Sequence, residues 1–204
     1  MNKRIKWCCF IQTNHNIISM DAKIAAKTIS ESDYGIHCLL IYSNLTILRE
    51  FYSHYIPEQI KDKEEIIQIM PFYETENSVR DSLSKRNKKI EIDKIEKEEK
   101  TLLIADSLGK YIGQTNVESV WQASKDLVTY ANELRKNGVS ILGDMGSFIF
   151  EKRIRDLVDY ELNLPTRFEM NLKGVCMYHQ TDFDSLPEDM RQTIIDHHET
   201  SIKI

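Results

Sequence analysis

The chain has 204 residues, with 27 lysines and arginines against 32 aspartates and glutamates and a formal net charge of −5. Its length and its 41% hydrophobic content are typical of one globular domain and exclude a disordered or collagen-like chain. The acidic balance provides no overall basic field that would attract nucleic acid or an anionic membrane. We therefore expect no direct contact with nucleic acid and none with a membrane.

The cysteines and the N-terminal residues indicate a reducing compartment. Cys8, Cys9, Cys38 and Cys176 follow no zinc-binding spacing, and the last two lie in apolar runs, where a free cysteine usually packs as a small core residue. The first ten residues lack the apolar stretch and cleavage site of a signal peptide, and no apolar run approaches the length of a membrane span. These features predict a cytoplasmic protein.

Short apolar strands alternate with helices along the first half of the chain. The run 37–42 is continuously apolar, which is typical of a strand buried on both faces. Asn44 can cap the following helix, which we expect to stop near Pro57. A strand over 65–70 and a polar helix over 75–86 come next.

The same alternation continues to the end of the chain. The charge-rich stretch 85–100 predicts a solvated loop or edge with a short strand near Ile90, Ile92 and Ile95. The later predicted elements are a strand over 101–106, a helix from the Thr115–Glu118 capping box to Gly138, a strand over 139–143, a helix over 147–162, a strand over 174–178, a helix near 187–197 and a strand over 200–204. This pattern predicts an α/β fold, a mostly parallel sheet with helices on both faces.

Residues 1–33 do not fit the alternation cleanly. We expect them to form an N-terminal extension that contains a short helix within 20–29. The main domain is then expected to cover residues 34–204.

The sequence contains no recognisable phosphate-binding motif for nucleotide hydrolysis. The segment 42–48 after the first strand has neither the glycines nor the lysine of a phosphate-binding loop, and Gly109–Gly113 lacks the required spacing and the Lys-Ser/Thr pair. Asp106 ends an apolar strand, as does the acid that helps hold magnesium in P-loop enzymes, but capping of the next turn is the favoured interpretation. We predict no catalytic residues, while a nucleotide-binding or metal-dependent hydrolase that uses Asp106 stays open as an alternative.

The histidines and acids give no clear metal or acid–base site. Asp196-His197-His198-Glu199 resembles the Asp-His-His motif of a phosphoesterase family, but it follows a helix-like segment instead of a buried strand. We interpret it as a surface helix end and predict neither a metal nor a cofactor. An acid–base pair could come from acids near the element ends, although capping and surface charge are favoured for each of them: Asp144, Glu151, Glu161, Glu169, Asp182 and Asp184.

Several short segments, taken together, resemble the MEDS domain, the sensory domain named for methanogens, methylotrophs and the dichloromethane-responsive regulator. The resemblance covers about residues 33–204. Its segments are Tyr34–Tyr42 with a Gly-x-His start, Gly143–Gly146, Tyr160–Asn163, Val175–Tyr178, Asp182–Phe183 and His198. The chain departs from the family pattern in the stretch 55–65 and in the residue after His198, which is glutamate instead of the common proline. The resemblance implies a RecA-like core of the P-loop NTPase type without a working Walker A loop.

The resemblance also implies a sensory role for small organic compounds. We therefore expect a non-enzymatic domain that binds a small-molecule ligand and signals through a protein partner or as a homodimer; a purely structural oligomerisation module is a further alternative. Ligands of open α/β sheets bind outside the carboxyl ends of the strands. The expected pocket residues are His37, Tyr42, Ser43, Asp106, Asp144, Tyr178 and His179, of which His37 starts its strand and can instead support the structure.

Overall fold

A seven-stranded parallel sheet forms the centre of the computed structural model, which describes residues 17–86, 91–112 and 117–204. The strands are β1 (Ile18–Ser19), β2 (His37–Tyr42), β3 (Glu65–Met70), β4 (Leu102–Ile104), β5 (Gly138–Asp144), β6 (Leu172–His179) and β7 (Thr200–Lys203). Their order across the sheet is β1-β7-β2-β6-β5-β3-β4, and every pairing of neighbouring strands is parallel. The predicted α/β class is confirmed.

Helices cover both faces of the sheet. They are α1 (Ala22–Glu31), α2 (Leu45–Lys61), α3 (Glu76–Arg86), α4 (Ser107–Tyr111), α5 (Val117–Glu133), α6 (Gly146–Phe150), α7 (Ile154–Asn163), α8 (Gln180–Ser185) and α9 (Glu188–His197), with a π-helical turn at Lys94–Glu98. Among the described residues, no helix combines the length and the apolar character that crossing a membrane requires.

Side-chain alternation along the strands divides the core into two layers. In β2, Cys38, Leu40 and Tyr42 pack on the layer that contains residues of α1, α2 and α3. Leu39 and Ile41 point the other way, into the layer formed with α4 to α9. All six residues of β2 are buried, which explains why the strand reads as one continuous apolar run.

The described residues that precede β2 contribute to this architecture. β1 extends the sheet by pairing Ile18 with Ile202 of β7, and α1 packs against α2. A buried lysine lies between α1 and the sheet, because the Lys173 ammonium donates to the Ser30 carbonyl oxygen at 2.9 Å and lies 3.0 Å from the Glu65 carboxylate. The predicted short helix is therefore present, shifted by two residues towards the C-terminus.

Two helix predictions are corrected at their ends. Helix α2 does not stop near Pro57 but runs through it to Lys61. A proline inside a helix costs about 3 kcal/mol, and here the burial of Tyr55, Ile56 and Ile60 on the same helix outweighs that cost. Gly138 begins β5 and does not end α5; the chain turns at Arg135, which takes a left-handed conformation with φ 55°.

Two further predictions are corrected in the middle of elements. The segment that contains Ile92 and Ile95 is helical and not a strand, because a spacing of three residues lets both isoleucines be buried on one helix face. Ile90 and the predicted cap at Thr115 lie outside the described residues. The expected helix over 147–162 is two helices, α6 and α7, separated at Lys152, whose φ is 56°. The short elements β1, α4 and α8 have too few residues for a periodic pattern.

Candidate ligand-binding site

Four chemically reactive side chains meet inside the second core layer. They come from four separate elements: His37 from the start of β2, Glu161 from α7, Cys176 from β6 and His198 from the residue after α9. The His37 Nε2 atom lies 3.4 Å from the Cys176 sulfur and 3.8 Å from Glu161 Oε2, and His198 Nε2 lies 3.5 Å from the same carboxylate oxygen. These four side chains are close enough together to hold a metal ion, because one possible ligand atom from each lies within 4.8 Å of the others.

Local backbone geometry directs His37 to this cluster. Gly35 has a φ of 96°, a left-handed conformation that favours glycine, and an added Cβ there would lie 2.6 Å from the Phe168 carbonyl oxygen. The Gly35 amide donates to the Leu172 carbonyl, and its own carbonyl accepts from Phe168, so the start of β2 is fixed to the start of β6. From this start, the strand alternation places His37 on the same face as Leu39 and Ile41.

The carboxyl group of Glu161 has one paired and one unpaired oxygen. Tyr178 donates its hydroxyl hydrogen to Oε1, whereas Oε2 has no hydrogen-bond partner among the described residues. Burial raises the pKa of Glu161 to about 7, and the Tyr178 hydroxyl and the nearby Cys176 thiol act in the opposite direction. The cluster therefore contains a carboxyl group that can change charge near neutral pH.

Both cluster histidines are held in the neutral form. Burial lowers the pKa of His198 to about 4, and burial together with the neighbouring His198 and His197 lowers the pKa of His37 well below its usual value. His198 Nδ1 lies 2.7 Å from the Ile194 carbonyl oxygen, which can only accept, so Nδ1 carries the hydrogen. The free Nε2 lone pair of His198 then faces Glu161.

A small cavity adjoins the cluster and contains His37 and Cys176 in its wall. It has about 30 Å³ of free volume and lies between the sheet face and α5 and α7. Its other lining residues are mostly apolar or aromatic: Tyr111, Trp121, Ser124, Ile141, Gly143, Met145, Tyr160, Leu164, Phe168, Leu172, Gly174 and Val175. Gly174 permits the close approach of Phe168, because an added Cβ would lie 2.7 Å from that ring. The cavity is an apolar space with a polar, cysteine- and histidine-containing wall.

A second polar group lies at the carboxyl ends of the strands. The Tyr42 hydroxyl donates to Asp144 Oδ2 at 2.7 Å, the Gly146 amide donates to Asp144 Oδ1 at 2.9 Å, and the His179 ring lies 5.3 Å from the Tyr42 ring. Burial raises the pKa of Asp144 to about 7, while the hydrogen bonds from Gly146 and Tyr42 act against this shift. Tyr42, Asp144 and His179, all expected pocket residues, therefore lie together at this edge.

The other expected pocket residues lie elsewhere. Ser43 is exposed directly after β2, and its amide donates to the Ile204 carbonyl at 3.1 Å. Asp106 is exposed and caps α4 by accepting from the Gly109 amide at 2.7 Å. His37 belongs to the buried cluster, and Tyr178 adjoins it as the hydrogen-bond donor to Glu161, so the seven expected residues are distributed over separate places.

The sequence interpretation missed three members of the cluster. The assignment of His198 to a surface helix end was wrong, since its side chain is fully buried. Glu161 was grouped with capping and surface acids, and Cys176 with the core. A usable signal existed, because four of the segments that resemble the MEDS domain contribute one cluster residue each.

Comparison with known proteins identifies the family of this chain. The sequence model described as MEDS, the methanogen/methylotroph, DcmR sensory domain, matches residues 36–199. The chain belongs to the MEDS family. This MEDS domain is also similar in structure to a KaiC-like protein from the hyperthermophilic archaeon Pyrococcus horikoshii OT3, with a TM-score of 0.52 and 15% identity over 79% of this chain and 70% of that chain. This similarity supports the RecA-like fold; comparison with curated proteins gave no match.

Proposed function

We propose that this MEDS domain senses a small organic compound, which binds in the cavity beside His37 and Cys176. The observation that carries the proposal is the composition of that cavity: an apolar and aromatic lining with two polar groups in one wall. Small-molecule sites commonly combine a hydrophobic lining with a few polar groups that orient the ligand. The family description supports the sensory role, and the lining of the cavity supports a small, mostly apolar ligand.

The size of the cavity limits the ligand. A single water needs about 10–15 Å³ of comparable volume, so a free volume of about 30 Å³ accommodates a compound of roughly two to three non-hydrogen atoms. Such a compound would bury its apolar part against Trp121 and Leu164. A single hydroxyl, carbonyl or halogen would face Cys176 and His37.

Helix α7 gives the cavity a route to the surface. Tyr160 and Leu164 line the cavity, and Leu162 on the same helix is 44% exposed. A ligand that shifts the packing of Tyr160 would therefore also shift a surface that carries Leu162. We propose that the signal leaves along this helix to a protein partner or to a second copy of the domain.

The test combines a compound panel with a cavity-filling variant. Ser124 is half-buried on α5 and lines the cavity, so Ser124→Leu would fill the space with a larger apolar side chain. Thr129→Leu is the matched control, because Thr129 is exposed on the same helix and makes the same type of hydroxyl bond to a carbonyl four residues earlier. The panel contains methanol, ethanol, acetaldehyde and dichloromethane, each with two or three non-hydrogen atoms, with ATP and magnesium as the large comparison ligand.

We expect at least one small compound to raise the melting temperature of the wild type and of Thr129→Leu, by about 3–6 °C at ten times its dissociation constant. Ser124→Leu should lose this response and the matching ligand-observed NMR signal. An equal response of the two leucine variants would contradict the proposal, and so would the absence of any response in the wild type.

A further inference from the structure

We propose that His37, Glu161, Cys176 and His198 form a binding site for a divalent transition-metal ion of the Zn²⁺ type. The site goes beyond the proposed ligand sensing and does not depend on it. Two imidazoles, one thiol and one carboxyl group are the donors from which proteins build four-coordinate zinc sites. One donor atom from each residue lies within 4.8 Å of the others.

Three measured distances between donor atoms fit a compact tetrahedral shell. Zinc bonds of about 2.0–2.3 Å to nitrogen, oxygen and sulfur place neighbouring ligand atoms about 3.3–3.6 Å apart in a tetrahedron. The measured separations are 3.4 Å from Cys176 Sγ to His37 Nε2, and 3.8 Å and 3.5 Å from Glu161 Oε2 to the Nε2 atoms of His37 and His198. The remaining separations among the four donor atoms are within 4.8 Å, and the longer ones would shorten on binding.

Unpaired donor atoms point into the cluster. Glu161 Oε2 and His198 Nε2 have no hydrogen-bond partner among the described residues, although both side chains are fully buried. An unsatisfied buried polar atom is destabilising, and here two such atoms face one another. A metal ion would bind both lone pairs at once.

The surrounding bonds orient the donors as zinc sites require. The Ile194 carbonyl accepts from Nδ1 of His198 and leaves Nε2 free, and Tyr178 holds the other oxygen of Glu161. On binding, the Cys176 thiol releases its proton to solvent and coordinates as a thiolate. A divalent ion with this thiolate and the Glu161 carboxylate is neutral overall, which suits a buried site.

The test uses cobalt as a spectroscopic probe and zinc as its competitor. Because Cys8 and Cys9 lie outside the described residues and offer other thiols, the background variant carries Cys8→Ser and Cys9→Ser. Cys176→Ala removes the proposed sulfur ligand. Cys38→Ala is the matched control, since Cys38 is equally buried but packs in the opposite core layer.

In the background variant, we expect one equivalent of Co²⁺ to produce thiolate-to-cobalt charge-transfer absorption and tetrahedral visible bands, which Zn²⁺ abolishes. Cys38→Ala should behave identically. Cys176→Ala should lose the charge-transfer band and bind Zn²⁺ more than about 100-fold more weakly, because the loss of a direct ligand exceeds the 10- to 100-fold effect of an outer-shell change.

Three results would overturn the site: no charge-transfer band in the background variant, an unchanged band in Cys176→Ala, or its loss in Cys38→Ala. Zinc X-ray absorption of the background variant keeps the test decisive even where Cys176→Ala fails to fold. A shell with one sulfur and two imidazoles supports the site, and a shell without sulfur contradicts it. The compound panel above is scored separately, so either proposal can fail alone.

Discussion

Asp144 shows how a single buried side chain can make stability depend on pH. Its pKa is raised from 3.8 to about 7, chiefly by burial, with Tyr42 and Gly146 donating to its oxygens and Asp182 adding to the shift. Between these pH values the folded protein retains a proton that the unfolded chain has lost. This group therefore lowers the free energy of unfolding as pH rises from about 4 to about 7.

We predict that Asp144→Asn flattens this dependence. Urea unfolding between pH 4 and pH 7 should show the stability difference between wild type and variant changing by up to about 4 kcal/mol, since each pKa unit corresponds to about 1.4 kcal/mol. Asp126→Asn on the exposed face of α5 is the control and should keep the wild-type slope. A wild-type slope in Asp144→Asn would show that the carboxyl group is not buried as described.

The cluster residues show what a single sequence can and cannot reveal about a site. His198 follows a polar helix and precedes an exposed glutamate, so its neighbours in sequence indicate a surface position. Its side chain also contacts His37 and Glu161, which are far away in the chain. Periodicity reports on local burial, and it cannot report a pocket that assembles from four elements.

At the scale of elements, the capping of α2 was predicted correctly. The Asn44 side chain accepts from the amides of Thr46 at 2.9 Å and Ile47 at 3.2 Å, which satisfies two donors that the first helical turn leaves free. This contact is local, so residue type and position suffice to predict it.

We predict that Asn44→Ala lowers the free energy of unfolding by about 1 kcal/mol, because both amides lose their partner. Asn44→Asp preserves a side-chain acceptor and should stay within a few tenths of a kcal/mol of the wild type. Chemical denaturation monitored by circular dichroism measures both values. Equal losses in the two variants would mean that the cap contributes nothing.

The bounds of β2 and β3 were predicted correctly and those of α3 and α9 to within one residue, whereas the ends of α2 and α5 and the break between α6 and α7 were not. β2 and β3 match their predicted bounds because a strand that is buried on both faces appears in the sequence as a continuous, mostly apolar run. Helix ends depend on tertiary packing, as Pro57 shows. They also depend on residues in the left-handed conformation, such as Arg135 and Lys152, and neither arginine nor lysine is a residue type that predicts this conformation.

At the scale of the whole molecule, alternation predicted the α/β class, and the family resemblance implied the RecA-like core. The strand order and the assignment of helices to faces came only from the structure. So did the cavity, which lies against a sheet face, whereas the general rule for α/β folds led us to expect a pocket at the strand ends. The sequence thus predicted the α/β class and named Tyr42, Asp144 and His179, which lie together at the strand ends. It did not predict the cavity.

The location of ligand binding is the central claim, and protein-observed NMR tests it most directly. Titration of isotopically labelled protein with the small compound that gives the largest thermal shift should produce saturable shift changes concentrated at Ile141, Leu164 and Val175 around the cavity. The same titration of Ser124→Leu should leave these signals unchanged. Saturable changes centred on Tyr42 and His179 at the strand ends, or no saturable change at all, would contradict the account.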